Sequence, residues 1–213
     1  MLLATNGPAA GRQSSKGANM AATLPYILRE TPSGIHRYSI VDEMLRCREI
    51  QCVGPIDDDA ADALCLQLRY LQQANPEGEI TIYINSPGGS VLSGLAIYDV
   101  MKAVSCPVRT VCLGMAASMA ALLFIAGDQR DMLPHSQVMI HDPILAGAAG
   151  GSALEMKALS DNLMRVREIT GQVIAAHTGK SLEEVLATTS HDSYFEAAQA
   201  VEFGLADRVI TAL

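Results

Sequence analysis

Apolar residues recur at a helical interval at Ala61, Leu64, Leu68 and Leu71, directly behind the acidic run Asp57-Asp58-Asp59. Acidic side chains favour the positive end of a helix, so the pattern predicts a helix that begins near Asp57 and stops before Asn75-Pro76. Residues 79–85 (EITIYIN) read as a short buried strand, followed by a Pro87-Gly88-Gly89 turn and a helix over residues 90–104. The order then repeats with a strand over 108–113, Gly114, and a very apolar helix over 116–126. Successive strand-turn-helix units connect by right-handed crossovers, which predicts an α/β fold around a parallel sheet. Two short strand signals flank Leu133-Pro134: the first lies in a predicted hairpin at 127–133, and the second covers 138–141. Residues 144–152 (ILAGAAGGS) carry too much glycine for a regular element. A long helical pattern follows over 153–177 and stops at Gly179; at ~1.5 Å per residue it would be ~37 Å long, more than one core of this size needs. It is expected to project and meet another subunit. Residues 1–22 are rich in Gly, Ala, Ser, Asn and Gln without hydrophobic period. They are read as a flexible tail, a removable propeptide, or a start assigned too early with Met20 as the initiator. Residues 23–213 show no linker and are taken as one domain.

Composition narrows the function. Of 213 residues, 49% are hydrophobic and 18% charged, which excludes a disordered chain and suggests burial against other subunits. Against 15 Lys and Arg stand 23 Asp and Glu, a net charge of −8, so nucleic acid is a poor partner. Cysteines 47, 52, 65, 106 and 112 show neither CxxC nor metal spacing and are read as reduced core residues. No apolar stretch approaches the ~20 residues that span a bilayer. A soluble, cytoplasmic protein without a membrane partner is expected.

Candidate chemistry begins at Gly114-Met-Ala-Ala-Ser118-Met-Ala, where a serine flanked by small residues falls at a strand-to-helix transition. In the first helical turn it would sit beside unpaired N–H groups that favour an oxyanion, although a cap or small packing residue would look the same. A hydroxyl nucleophile needs a base. Of the five histidines, His141 ends a predicted strand, where sites assemble; a structural role is the plainer alternative. Asp142 is poorly placed to orient it, since neighbours on a strand point to opposite faces. Asp192, ahead of a predicted helix start at 194–197, could reach back to it or could be a plain N-cap. The turn Ser86-Pro-Gly-Gly-Ser90 could bind phosphate, line an oxyanion hole or only turn; without a following Lys-Ser/Thr, phosphate loses weight.

Four segments in this order, Tyr83-Ile-Asn-Ser-Pro-Gly-Gly89, Gly114-Met-Ala-Ala-Ser-Met119, Leu133-Pro-His-Ser-Gln-Val-Met-Ile-His-Asp-Pro143, and Asp192 with Ala200-Val-Glu-Phe-Gly-Leu-Ala-Asp207, resemble the proteolytic subunits of Clp protease, the ClpP family. The similarity extends over about residues 24–210. It implies the ClpP/crotonase-type fold and a serine endopeptidase, with Ser118 as nucleophile, His141 as general base and then acid, and Asp192 orienting the imidazole. It also implies an oxyanion hole formed by the N–H groups of Gly89 and Met119, each worth on the order of 3 kcal/mol in comparable sites. No metal or organic cofactor is expected. Family members stack two seven-membered rings into a tetradecamer, joined by a handle that matches residues 153–177. An AAA+ unfoldase of the ClpX, ClpA or ClpC type spends the ATP and threads unfolded polypeptides into the chamber.

The chain departs from the family pattern in four places. The Ser118–His141 spacing is shorter, and the His141–Asp192 spacing longer, by about two residues each, changes that loops absorb. Before the catalytic Asp, Ser190-His191 replaces the acidic-Arg pair that bridges the rings. That ring contact is expected to be weaker or pH-sensitive, because histidine as a residue type titrates near neutrality. Of three aromatic positions in the unfoldase-docking pocket, matching Thr81, Tyr83 and Ala103, only Tyr83 is aromatic. Docking through a second ClpP-type subunit of a homo- or hetero-oligomer is therefore expected. Rival readings are a non-catalytic or latent subunit of a mixed ring and, with less support, a crotonase-type acyl-CoA enzyme.

Overall fold

A computed structural model describes residues 25–145 and 150–213. The expected tail at 1–22 and residues 146–149 of the glycine-rich loop lie outside the described residues. The contacts divide the chain into two units, with the boundary after Ile40. The first holds an antiparallel hairpin, β1 (Tyr26–Thr31) and β2 (Gly34–Ser39), paired from Tyr26↔Ser39 to Thr31↔Gly34. Within it the Arg37 guanidinium stacks 3.4 Å above the Tyr26 ring.

The second unit takes in α1 (Ile40–Arg46) from its second residue on and is built on a parallel sheet. β3 (Glu49–Val53), β4 (Ile80–Ser86), β5 (Val108–Ala117), β6 (Gln129–Met132) and β9 (Arg208–Val209) lie side by side in that order. Helix α2 (Asp58–Ala74) starts on Asp57, whose carboxylate accepts the Ala60 N–H at 2.9 Å, and it buries Ala61, Leu64, Leu68 and Leu71 as the spacing predicts. Ser90 caps α3 (Val91–Ala103). All seven residues of α4 (Met119–Ile125) are buried, so this helix is the middle of the core.

Helix α5 (Ala153–Thr178) opens on a capping box between Ser152 and Glu155 and stops at Gly179, whose φ of 72° is left-handed. Its buried residues, Thr170, Gly171 and Ile174, all lie near its C-terminal end. The rest of its length of ~39 Å is largely uncovered within the chain. Two shorter helices, α6 (Leu182–Thr189) and α7 (Ala197–Phe203), complete the unit. Among the described residues, no helix is long and apolar enough to cross a membrane.

Four readings are corrected. β5 does not stop at Leu113 but continues through the small residues to Ala117. There it acquires a new partner, β7 (Gln137–Ile140), paired as Met115↔Gln137 to Ala117↔Met139. Residues 127–133 form no hairpin: β6 runs parallel to β5, and β6 and β7 lie one after the other along the same edge of β5. Residues 193–196 are a strand, β8 (Ser193–Glu196), antiparallel to β7, so Asp192 precedes a strand rather than a helix. Finally, all five cysteines are free, but only Cys52, Cys106 and Cys112 are buried; Cys65 is partly covered and Cys47 exposed.

The sheet carries one fully buried carboxylate. Asp131 receives Arg109, Arg208 and Gln129 at 2.7, 2.7 and 2.8 Å. Burial alone would raise its pKa, but these hydrogen bonds outweigh burial and bring it below the usual carboxylate value. With the folded pKa depressed, the ionised group stabilises the fold above the unfolded value near 4, and the contribution is lost as pH falls through the folded value. Asp131→Ala is expected to cost about 3 kcal/mol at pH 7 in denaturant titration and to flatten the acid limb of the stability profile.

Candidate active site

Ser118 stands at the junction of β5 and α4 with φ 54° and ψ −122°. A non-glycine residue in this region is strained, and it persists only where neighbours hold it. Here its N–H donates to the Met139 carbonyl at 2.8 Å, continuing the β5–β7 ladder one step past the last paired residue. The serine is thus the cap before α4, not a member of its first turn. Its side chain makes no capping bond and is left to point elsewhere.

It points at His141. Ser118 Oγ lies 2.8 Å from His141 Nε2, and His141 Nδ1 lies 3.1 Å from Asp192 Oδ1. The strand register explains why. β7 and β8 pair as Gln137↔Glu196 through Ile140↔Ser193, so the next positions opposite each other are His141 and Asp192. Two residues 51 apart in sequence meet because they are the continuation of one antiparallel pair. Asp142, as the alternation of strand side chains predicts, turns away from the imidazole toward Arg167 and Thr189. The His141 side chain is 14% exposed and that of Asp192 59%, so the carboxylate acts partly through water and its field is softened.

The Pro87-Gly88-Gly89 turn packs directly on the serine. A Cβ on Gly88 would lie 2.6 Å from the Ala117 carbonyl, 2.8 Å from Ser118 Cβ and 2.9 Å from the Met119 nitrogen. With φ 90° as well, the position requires glycine on two counts. Gly89 forms an isolated parallel bridge with Ile56, in which the Ile56 N–H donates to Gly88 O at 2.9 Å and the Ser90 N–H to Ile56 O at 2.7 Å. In such a bridge the flanking groups make the bonds, so the N–H of Gly89 itself faces the other way. Neither the Gly89 nor the Met119 N–H donates to a backbone carbonyl among the described residues. Two free donors beside a serine–imidazole pair are what a developing oxyanion needs.

Sequence reasoning missed two supports. The Met139 carbonyl anchors the Ser118 backbone, and no side-chain pattern could have signalled it. Gly94 in α3 makes room for Met119, whose Cγ would be 2.1 Å from an added Cβ; a lone glycine inside a helical pattern was the available signal. Two of the three buried thiols are poor rivals as nucleophiles: burial pushes Cys52 up to about 11 and raises Cys112 as well, leaving both protonated at neutral pH. No group of three His, Cys, Asp or Glu residues among those described could hold a metal ion.

The sequence matches the family model of Clp protease over residues 32–212, which takes in all three residues of the Ser118–His141–Asp192 line and both glycines of the turn. The mostly parallel sheet with its helices is consistent with the ClpP/crotonase-type fold, and the chain belongs to the Clp protease family, whose members are serine peptidases.

Proposed function

We propose that this chain is the catalytic subunit of an ATP-dependent Clp protease and cleaves unfolded polypeptides by acyl transfer through Ser118. The observation that carries the reading is the unbroken line from Ser118 Oγ through the His141 imidazole to Asp192 Oδ1. With Nδ1–H donating to Asp192, Nε2 is free to accept the hydroxyl proton as Oγ attacks the scissile carbonyl carbon. The carbonyl oxygen becomes an oxyanion facing the N–H groups of Gly89 and Met119. Imidazolium then protonates the amide nitrogen, the C–N bond breaks and the amine leaves. Water, deprotonated by the same imidazole, attacks the acyl-enzyme, and the proton returns to Ser118 as the acid departs. None of these steps calls on a metal or an organic cofactor.

Assembly into stacked seven-membered rings is supported by α5, whose N-terminal half exposes Leu154, Met156 and Met164, apolar residues that a lone chain gains nothing by displaying. Tyr83, the one aromatic retained among the three docking positions, is only 8% exposed, while Ala103 at another is exposed. Little aromatic surface is left there for an unfoldase loop, which supports docking of a ClpX-, ClpA- or ClpC-type ATPase through a second ClpP-type ring. Fluorogenic peptides and acyl-CoA thioesters, offered separately to the purified oligomer, test the assignment. Peptide hydrolysis that a fluorophosphonate blocks is expected; thioester turnover without peptide cleavage would overturn it in favour of crotonase-type chemistry.

A further inference from the structure

Asp192 touches His141 through one bond and is otherwise largely in water, so its own side chain cannot hold the triad in line. The pairing of β7 with β8 ends at Ile140↔Ser193, one position short of the two residues that matter, where antiparallel strands are free to splay. What lies beyond that last pair is a compact knot of polar bonds. Asp142, next to His141, accepts Arg167 Nε on Oδ2 at 2.5 Å and the Thr189 hydroxyl on Oδ1 at 2.7 Å. Its backbone N–H donates to the Thr189 carbonyl at 2.6 Å, and Arg167 Nη2 donates to the Leu186 carbonyl at 2.9 Å. Both charged side chains are largely shielded, at 25% and 30% exposure, which makes their attraction stronger than that of a surface pair.

These four bonds join three segments. Residue 142 follows the imidazole, Thr189 ends α6 three residues before Asp192, and Arg167 sits on α5 just N-terminal to its first buried residue, Thr170. We propose that Asp142, Arg167 and Thr189 form a positioning clamp that holds His141 opposite Asp192 and ties the alignment of the site to the seating of α5. The role rests on the peptidase reading of Ser118, since a clamp on an unused imidazole would have no consequence for rate. Displacing a reacting group by about 1 Å costs on the order of 10²-fold in rate. The clamp residues touch neither substrate nor the reacting atoms, and they act only through His141 and Asp192.

The test uses the assembled full chain with Asp142→Ala, Arg167→Met, their double variant, Arg167→Lys and Thr189→Val, the last removing only a hydroxyl. Peptide kcat and KM, the rate of Ser118 acylation by a fluorophosphonate, and the melting temperature are measured on each. We expect Asp142→Ala and Arg167→Met each to lower kcat and acylation roughly 10- to 100-fold with KM within about twofold. The double variant should be no worse than the slower single, because both break one unit. Arg167→Lys should recover part of the rate, and Thr189→Val should lose a few-fold without a change in melting temperature. Rates within about threefold of wild type in the first two variants, losses that only follow the fraction unfolded, or single effects that multiply in the double would each overturn the clamp. A wild-type chain whose labelling does not depend on Ser118 would instead remove the peptidase reading, and the clamp with it.

Discussion

Alanine at position 118 is expected to lower peptide hydrolysis by about 10⁴-fold or more, to the level that the oxyanion donors and substrate binding supply by themselves. The attacking oxygen is gone, while Nε2 of His141 and the N–H groups of Gly89 and Met119 stay where they are. Stability should move by less than about 1 kcal/mol, since the side chain caps nothing and the strained φ of 54° is carried equally by either residue. Steady-state cleavage of a fluorogenic peptide, with thermal melting of the same samples, checks both halves. A loss of only tenfold would mean that another group attacks or that hydrolysis takes place elsewhere.

The second large effect is expected at a residue with no reactive group. In Gly88→Ala the new methyl meets the Ala117 carbonyl at 2.6 Å and the Met119 nitrogen at 2.9 Å, both backbone atoms without a rotamer to yield. At φ 90° the substitution also carries the roughly 1–2 kcal/mol that a left-handed conformation costs an L-residue. Either the turn or the serine junction must retreat, which displaces the Gly89 and Met119 N–H groups proposed above to hold the oxyanion. Since removing a single oxyanion donor costs about 10²- to 10³-fold, kcat should fall by at least that factor while KM changes little. The fold should survive with a lower melting temperature, because the contact lies at the rim of the sheet and α4 remains buried. Comparing kcat and the acylation rate of Gly88→Ala with those of the parent decides it.

Much of this was legible in the sequence, for reasons that differ from place to place. Helix α2 was visible because its acidic start and its apolar spacing agree, and α5 because its helical pattern runs unbroken to Gly179, while its Ser152 cap was not read. The parallel order of β4 and β5 followed from two successive strand-turn-helix units. By contrast, the extension of β5 to Ala117 was hidden, because Gly-Met-Ala-Ala has no strand preference of its own and is extended only by pairing with β7. The same long-range pairing makes 193–196 a strand where Tyr194-Phe195-Glu196-Ala197 looked like a helix start. It also turned Asp192 from a suspected cap into the residue opposite His141. Histidine and aspartate could be nominated from strand ends; their meeting depends on a register that no local window contains. At the Ser190-His191 step, the His191 ring lies near the hydroxyls of Ser190 and Ser193, both at 3.3 Å.

Everything rests on whether Ser118 is the atom that is acylated. The direct measurement is the site of covalent modification after treatment of the assembled protein with a fluorophosphonate, followed by tryptic digestion and mass mapping. The peptide covering residues 110–130 has Ser118 as its one serine, so a single adduct is unambiguous. One phosphonyl group on that peptide, absent from Ser118→Ala and slowed in Gly88→Ala, is the predicted result. An unmodified 110–130 peptide from protein that nonetheless cleaves peptides, or an adduct at another residue that accounts for the lost activity, would contradict the assignment.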